Sequence, residues 1–336
     1  MNFKNTFIVA ELSANHNNDF KIAVKTIQSI AESGADAVKV QTYTADSLAL
    51  DVDNEYFGPK KKGLWKGWRP YDLYKKASMP YEWQPKLKKI AEESGLVFFS
   101  SPFDLEAVDF LEEMQIPIFK IASFEINDIP LIKYVAEKGK PIIISTGVGD
   151  EEDIRLAVET CINAGNKDIT LLKCTSQYPA NIEDADLLTI PDMKKRFRVE
   201  VGVSDHTLGT IVPIVAVSLG AKVVEKHFIL DRSLGGPDFA FSMEPGEFKS
   251  MVEEVRKAEK VLGKVSYDVS EVDKLKRRSL FFVKDVKKGS TITDSDIKSL
   301  RPGYGIQPRY YDEVIGKRIK KDVKKGDPLD SEFLNK

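Results

Sequence analysis

Two histidines, two glutamates and two lysines stand where they could do chemistry together. His206 and His227 each follow a short β-branched run, two residues beyond Ser204 and Glu225 respectively. A pair of imidazoles on neighbouring strands can hold a divalent cation and leave coordination positions open. Lys39 and Lys120 interrupt otherwise apolar runs, and so do Glu11 and Glu225. An unpaired buried charge is costly. Lysines so placed, with Ser123, Ser145 and Ser204, suit a small polyanion such as a phosphate or carboxylate, and Lys226 is a further candidate. Glu11 and Glu225 suit proton transfer or the positioning of water. His16, the third and last histidine, reads as an orienting hydrogen-bond partner. Cys161 and Cys174 read as core residues; two cysteines cannot build a disulfide framework or a four-cysteine zinc site.

These side chains need a scaffold that brings them to one place. Eight β-branched runs recur at 7–12, 37–43, 96–101, 118–123, 141–146, 169–175, 199–205 and 222–228. Most are continuously apolar, as strands buried on both faces should be. Helical patterns separate them at 20–33, 81–94, 104–114, 131–138, 151–164 and 210–219, and a last one covers 245–262. Gly34 and Gly95 follow two of these as C-terminal caps, and Asp104 and Asp150 open two others as N-caps. Eight β-then-α units predict a (β/α)8 TIM barrel. An open doubly wound sheet is the alternative, but no G-x-G-x-x-G follows the first run. In such a barrel the chemistry collects at the C-terminal strand ends, which is where the histidines, glutamates, lysines and serines named above fall. Alternation puts Lys39 and Gln41 on one face, and Glu225 and His227 on another.

The segment 50–79 is long for a βα loop. It holds Trp65, Trp68, Tyr71 and Tyr74 among lysines, and reads equally as a lid over the site or as a short helix packing aromatics on the barrel. Past a polar linker at 264–276 the texture changes to short segments and turns, with KDVKKG at 284–289 and again at 321–326. The expected organisation is a barrel at 1–263, the linker, and a small β-rich module at 277–336. The 50 basic and 52 acidic residues leave a net charge of −2, which argues against a nucleic-acid binder. No apolar run is long enough to cross a bilayer, and nothing resembles a signal peptide. A cytoplasmic enzyme is the expected class.

AELSANHN, KVQTYT, SSPFD, KIASFE, ISTG, KCTSQYP, VGVSDHT, EKHF, GGPD and RRSL occur in that order. The ordered set resembles that of the sialic acid synthase family, whose members join phosphoenolpyruvate to an amino-sugar aldehyde. The resemblance spans nearly the whole chain, and the C-terminal module resembles the family's antifreeze-like (SAF) domain. Within the family the nearest likeness is to the pseudaminic acid branch, carried by QTYTADSLAL, YDLYKKASMPYEW and VSDHTLG. The resemblance implies that His206 and His227 bind a divalent metal, manganese first, with magnesium or cobalt as alternatives. It implies that Lys39, Lys120, Ser123, Ser145, Ser176 and Ser204 surround phosphoenolpyruvate. Ser176 stands where the neuraminate branch has asparagine. Gln41, Ser101, Glu125, Tyr178 and Asp238 match sugar-contacting positions, and Glu11, Glu225 and Lys120 the reaction centre. Family members are domain-swapped homodimers in which an arginine of the SAF domain reaches the partner's sugar; Arg301 is the best match, with Arg309 its rival. The implied product is pseudaminic acid, with legionaminic or N-acetylneuraminic acid as alternatives. A sugar- or ice-binding relic without catalysis is the reading from a different class, and a lysine Schiff-base aldolase is a third.

Overall fold

The apolar runs become eight parallel strands: β1 (Phe7–Glu11), β2 (Ala37–Thr42), β3 (Val97–Pro102), β4 (Phe119–Ile121), β5 (Ile142–Ser145), β6 (Ile169–Cys174), β7 (Glu200–Asp205) and β8 (Val223–His227). They pair in chain order and close, β8 against β1, into a barrel. The computed structural model describes residues 4–334 and divides after Gly263 into two compact units.

Strand alternation sorts the side chains into two layers. One set, including Ile8, Val38, Phe98, Ile121 and Val224, joins the core between the barrel and its helices. The other set fills the lumen, where Val9, Ala37, Phe99, Ile143, Leu172 and Val223 form an apolar plug. One pleat further toward the C-terminal ends, the lumen positions become Glu11, Lys39, Ser101, Lys120, Ser145, Ser204 and Glu225. The plug therefore seals the barrel below, and the polar layer lies directly above it. Gly202 sits within β7 where a Cβ would lie 2.4 Å from the Val223 carbonyl oxygen, so this strand carries no side chain at that level.

Outside run α1 (Phe20–Glu32), α2 (Gln84–Glu93), α3 (Leu105–Glu113), α4 (Ile129–Glu137), α5 (Glu151–Asn163), α6 (Thr189–Phe197), α7 (Ile211–Ser218) and α8 (Pro245–Leu262). Gly34 and Gly95 adopt the left-handed conformation expected of them. Asp104 accepts from the Ala107 amide at 2.6 Å, and Asp150 forms a capping box with Asp153. Helix α6 is not predicted from the sequence pattern. It buries only Ile190 and Met193, and it ends at Arg198 in a left-handed turn instead of at a glycine, so both usual signals are missing. The long loop after β2 contains the short helices Ala45–Leu48 and Pro70–Ala77, braced by Arg69, which donates to Asp51 at 2.8 Å and Asp72 at 2.7 Å.

In the second unit β9 (Ser279–Phe282) pairs antiparallel with β10 (Ile297–Leu300). The two KDVKKG copies face each other across a Val286–Val323 bridge, with reciprocal amide–carbonyl bonds of 3.0 Å. Asp285 accepts from the Lys325 amide and Asp322 from the Lys288 amide, both at 2.8 Å. The repeat is thus a pair of turns in which each aspartate caps the other copy, more than a solvated charged hairpin.

Candidate active site

The floor of the site is a cluster of buried charges. Lys39 Nζ lies 2.8 Å from Glu11 and 3.5 Å from Glu225, and donates to Ser101 at 3.5 Å. Lys120 Nζ lies 4.0 Å from Glu225 and donates to Ser145 at 2.6 Å. Ser204 donates to Glu225 at 3.2 Å. All of these residues are buried. The two carboxyls are driven apart. Burial, opposed by Lys39 and reinforced by Glu225, raises Glu11. Burial would raise Glu225 too, but Lys120, Lys39 and His206 together hold it below its usual range. Burial would lower Lys39, but its two glutamates keep it up, whereas Lys120 is lowered by burial against the pull of Glu225.

Above the floor opens a cavity of about 450 Å³. Its lining combines polar residues, among them Ser13, Gln41, Ser123, Glu125, His227 and Asp238, with apolar and aromatic ones, among them Tyr43, Leu48, Leu73, Tyr74, Phe103 and Trp65. Glu125 Oε2 is buried with no hydrogen-bond partner. Burial, opposed by Lys120, raises this carboxyl to about 7. A hydrogen-bonded chain ties cavity to floor: Gln41 Nε2 donates to Glu11 at 3.0 Å and to Ser13 Oγ at 3.1 Å, and Ser13 Oγ donates to Asp238. Ser13 holds a left-handed backbone, φ 47°, which is unusual for serine.

His206 and His227 flank this chain, their ring centroids 5.2 Å apart. His206 Nδ1 faces the Thr175 carbonyl oxygen at 3.0 Å. A donor at Nδ1 leaves the Nε2 lone pair free, the arrangement typical of a metal-binding imidazole. His227 Nδ1 is buried without a hydrogen-bond partner, 4.0 Å from Asp238. Burial, with the charges of Lys39 and Lys120 near it, keeps His227 neutral, as a ligand must be. Among the described residues no three His, Cys, Asp or Glu side chains form a ready-made cage. The donor set therefore fits a divalent cation held by two imidazoles with positions left for substrate or water.

Ser123 and Ser176 converge on Gly147. Ser123 Oγ accepts from the Gly147 amide at 3.2 Å, and a Cβ on Gly147 would lie 2.1 Å from Ser176 Oγ. Tyr178 lines the cavity beside His206, with ring centroids 4.4 Å apart. The expected site residues of the barrel unit thus come together, with Lys226 the exception. Arg301 lies in the second unit, on an exposed turn after β10.

One expectation needs correction, and two gain detail. Lys226 does not join the polyanion group: alternation turns it to the helix side of the wall, where it donates to Asp205 and to the Thr207 carbonyl at 2.6 Å. Cys174 is buried as expected of a core residue, but on the lumen side. It lies 3.9 Å from His206 Nδ1 and 3.7 Å from Ser176 Oγ; burial would raise its thiol, but His206 holds it down, to about 7. Cys161, by contrast, lies in the apolar core. The aromatic loop proves to be both a helix and a wall. Leu73 and Tyr74 of Pro70–Ala77 line the cavity, and Trp65 closes it, donating to the Pro237 carbonyl at 2.9 Å and packing on Tyr178. Trp68 lies off the cavity, under Lys76. His16 is an orienting residue as expected, accepting from the Asn18 amide at 3.0 Å. Tyr43, Phe103 and Phe241 were not legible as site residues. Single aromatics after strand ends look the same as core residues until the loops are placed.

A closed parallel barrel with lysines, carboxylates and a histidine pair on its rim defines a TIM-barrel enzyme site for an anionic small molecule. The chain belongs to the NeuB family, which residues 26–267 match, and residues 277–334 match the SAF domain. It is 45% identical over 329 residues to the pseudaminic acid synthase of Campylobacter jejuni, covering 97% of this chain and 96% of that protein. It is 44% identical over 333 residues to the pseudaminic acid synthase of Helicobacter pylori, covering 98% of each. The N-acetylneuraminic acid synthetase of Leptospira borgpetersenii has a similar crystal structure, with TM-score 0.71 and 32% identity over 80% of this chain and 89% of that one.

Proposed function

We propose that this enzyme condenses phosphoenolpyruvate with 2,4-diacetamido-2,4,6-trideoxy-altrose and water to give pseudaminic acid and phosphate. The observation that carries this reading is the two-part site: a buried floor of paired lysines and glutamates beneath a cavity lined largely by apolar and aromatic side chains. The floor suits phosphoenolpyruvate. Lys39 and Lys120 supply charge, and Ser123, Ser145, Ser176 and Ser204 supply donors; the missing side chain of Gly147 leaves room for the Ser123 and Ser176 hydroxyls. The apolar wall suits a sugar with a methyl at C6 and two acetamido methyls better than a fully hydroxylated hexose. The high identity to the two pseudaminic acid synthases supports the same choice.

Carbon 3 of phosphoenolpyruvate forms a bond to the sugar's aldehyde carbon. Water adds to carbon 2, and as the C–O bond to phosphate breaks the new hydroxyl becomes the ketone, its proton leaving with the phosphate. Water gives up a proton and the former aldehyde oxygen takes one, so a single acid–base group poised near neutrality can serve both. Glu11, raised by burial and held by Gln41, fits that task. Glu225, kept ionised between the lysines, orients them. Gln41, Ser101, Glu125, Tyr178 and Asp238 hold the sugar. A divalent cation on His206 and His227, manganese first, would supply Lewis-acid polarisation of the aldehyde oxygen. By family likeness the active form is a domain-swapped homodimer, with Arg301 of one copy reaching the sugar of the other. The cytoplasm, where phosphoenolpyruvate is made, is the fitting compartment; among the described residues no helix is long and apolar enough to cross a membrane.

The test is phosphate release from phosphoenolpyruvate with a panel of sugars, with and without a chelator. The altro diacetamido trideoxy sugar is expected to be the best substrate. A preference for the legionaminate precursor or N-acetylmannosamine would reject the sugar assignment. No phosphate release with any sugar would reject the reaction.

A further inference from the structure

We propose that Asp205 and Lys226, on the outer side of the barrel wall, form a clamp that sets the relative position of His206 and His227 and so governs how tightly the pair holds a cation. The inference rests on the reading of the two histidines as metal ligands.

The β7–β8 ladder runs Val203 to Val224, Ser204 to Glu225 and Asp205 to Lys226, and ends there. The next residue on each strand is one of the histidines. The backbone ladder therefore stops one residue short of the pair, and at that last rung the connection passes to side chains. Lys226 Nζ donates to Asp205 Oδ2 and, at 2.6 Å, to the Thr207 carbonyl oxygen. The other oxygen of Asp205 accepts from the Thr207 amide at 2.8 Å. The two neighbours of His206 are thus bonded to each other and to the residue preceding His227. The remaining freedom of His206, rotation of its ring, is limited by the Thr175 carbonyl at Nδ1. On the far side of His227, the Met243 amide donates to the His227 carbonyl at 2.9 Å and the Phe228 amide to the Glu11 carbonyl at 2.8 Å.

The chemistry of the clamp points the same way. Lys226 and Asp205 are 1% and 3% exposed. A buried ion pair is worth little more stability than an apolar pair of the same volume, because desolvation offsets the attraction. What the ion pair adds is direction: two charge-assisted bonds of fixed geometry that apolar packing cannot supply. Neither residue lines the cavity, so both act through the histidines as positioning residues.

The test is manganese titration of the full chain without substrates, following free Mn2+ by electron paramagnetic resonance, with melting and circular dichroism on each variant. For Lys226→Met and Asp205→Asn the manganese Kd is expected to rise by about ten- to a hundredfold, the usual loss when a partner behind a ligand is removed. Lys226→Arg should recover part of the loss. Inorganic phosphate affinity, read by thermal shift without metal, should change little, because Lys39 and Lys120 stay in place; a merely structural defect would weaken both. His227→Ala separates the two ideas. If it binds manganese as well as the wild type, the ligand reading fails and the clamp with it. If it loses manganese while folded Lys226→Met keeps wild-type affinity within about threefold, the clamp alone is rejected. Should the single variants not fold, Asp205→Asn/Lys226→Met, which removes both charges, takes their place. Wild-type manganese affinity in that double variant, or its failure to fold, overturns the proposal.

Discussion

Glu225→Gln should separate the structural task of the buried floor from its chemistry. The Glu225 carboxylate lies 3.5 Å from Lys39 Nζ and 4.0 Å from Lys120 Nζ, so it pairs with both lysines. At an effective dielectric of about 20, each contact is worth about 4–5 kcal/mol before desolvation. Removing one member of a buried charge group costs about 3–5 kcal/mol net, because the partner charges stay buried. For a unit of this size that predicts a fall in melting temperature of roughly 6–20 °C. An anion bound on the floor would restore a partner to both lysines. Inorganic phosphate should therefore raise the melting temperature of the variant more than that of the wild type, with about 2.7 kcal/mol gained at a hundredfold excess over Kd. The measurement is a thermal shift series in phosphate and in phosphoenolpyruvate, on both proteins. A variant that melts within 2 °C of wild type, or gains no more from phosphate than wild type does, would refute the idea that Glu225 holds the lysines in place of the substrate anion.

Glu125 gives a pH signature. Its carboxyl is raised from 4.5 to about 7 by burial, against Lys120 and Lys39 and with Asp128 adding to the rise. The native state then binds the extra proton, so this group's contribution to stability falls as pH rises from about 4.5 to about 7. Glu125→Gln should match wild-type stability near pH 4.5 and exceed it above pH 7, by no more than about 3 kcal/mol; an advantage independent of pH, in parallel melts, would contradict the assignment. His206→Ala and His227→Ala should each lower turnover by several orders of magnitude, and near-normal kcat in both would remove the metal assignment. Gly147→Ala puts a Cβ 2.1 Å from Ser176 Oγ and 2.9 Å from Ser123 Oγ. Displacing these hydroxyls should raise the phosphoenolpyruvate KM by about tenfold or more, with little change for the sugar. Arg301→Ala should mainly raise the sugar KM; if that KM is unchanged, Arg309 becomes the candidate.

The amino-acid sequence by itself determined the barrel. Continuous apolar runs, glycine stops and aspartate starts are local signals, and each acts within its own segment, which is why the strands emerge within a residue or two of their expected bounds. It also determined which face each strand residue takes, since alternation is a property of the extended chain. Glu11, Lys39, Lys120, Ser145, Ser204 and Glu225 could be assembled from that rule alone.

The tertiary structure decided whatever depended on two distant segments meeting. Lys226 looks like Lys39 and Lys120 in the sequence, but its parity sends it outward to Asp205, a partner visible only once β7 and β8 are side by side. Cys174 shares its strand with apolar residues, and only closure of the barrel sets its sulfur beside His206 and Ser176. The cavity's apolar wall is assembled from Tyr43, Leu73, Tyr74 and Phe103 of distant segments, and Trp65 joins them through its bond to Pro237 and its packing on Tyr178. Loop conformation follows from packing against neighbours and carries no period of its own, so Tyr43, Leu73 and Phe103 gave no signal before the fold placed them, and Trp65 and Tyr74 only the choice between a lid and a packing helix.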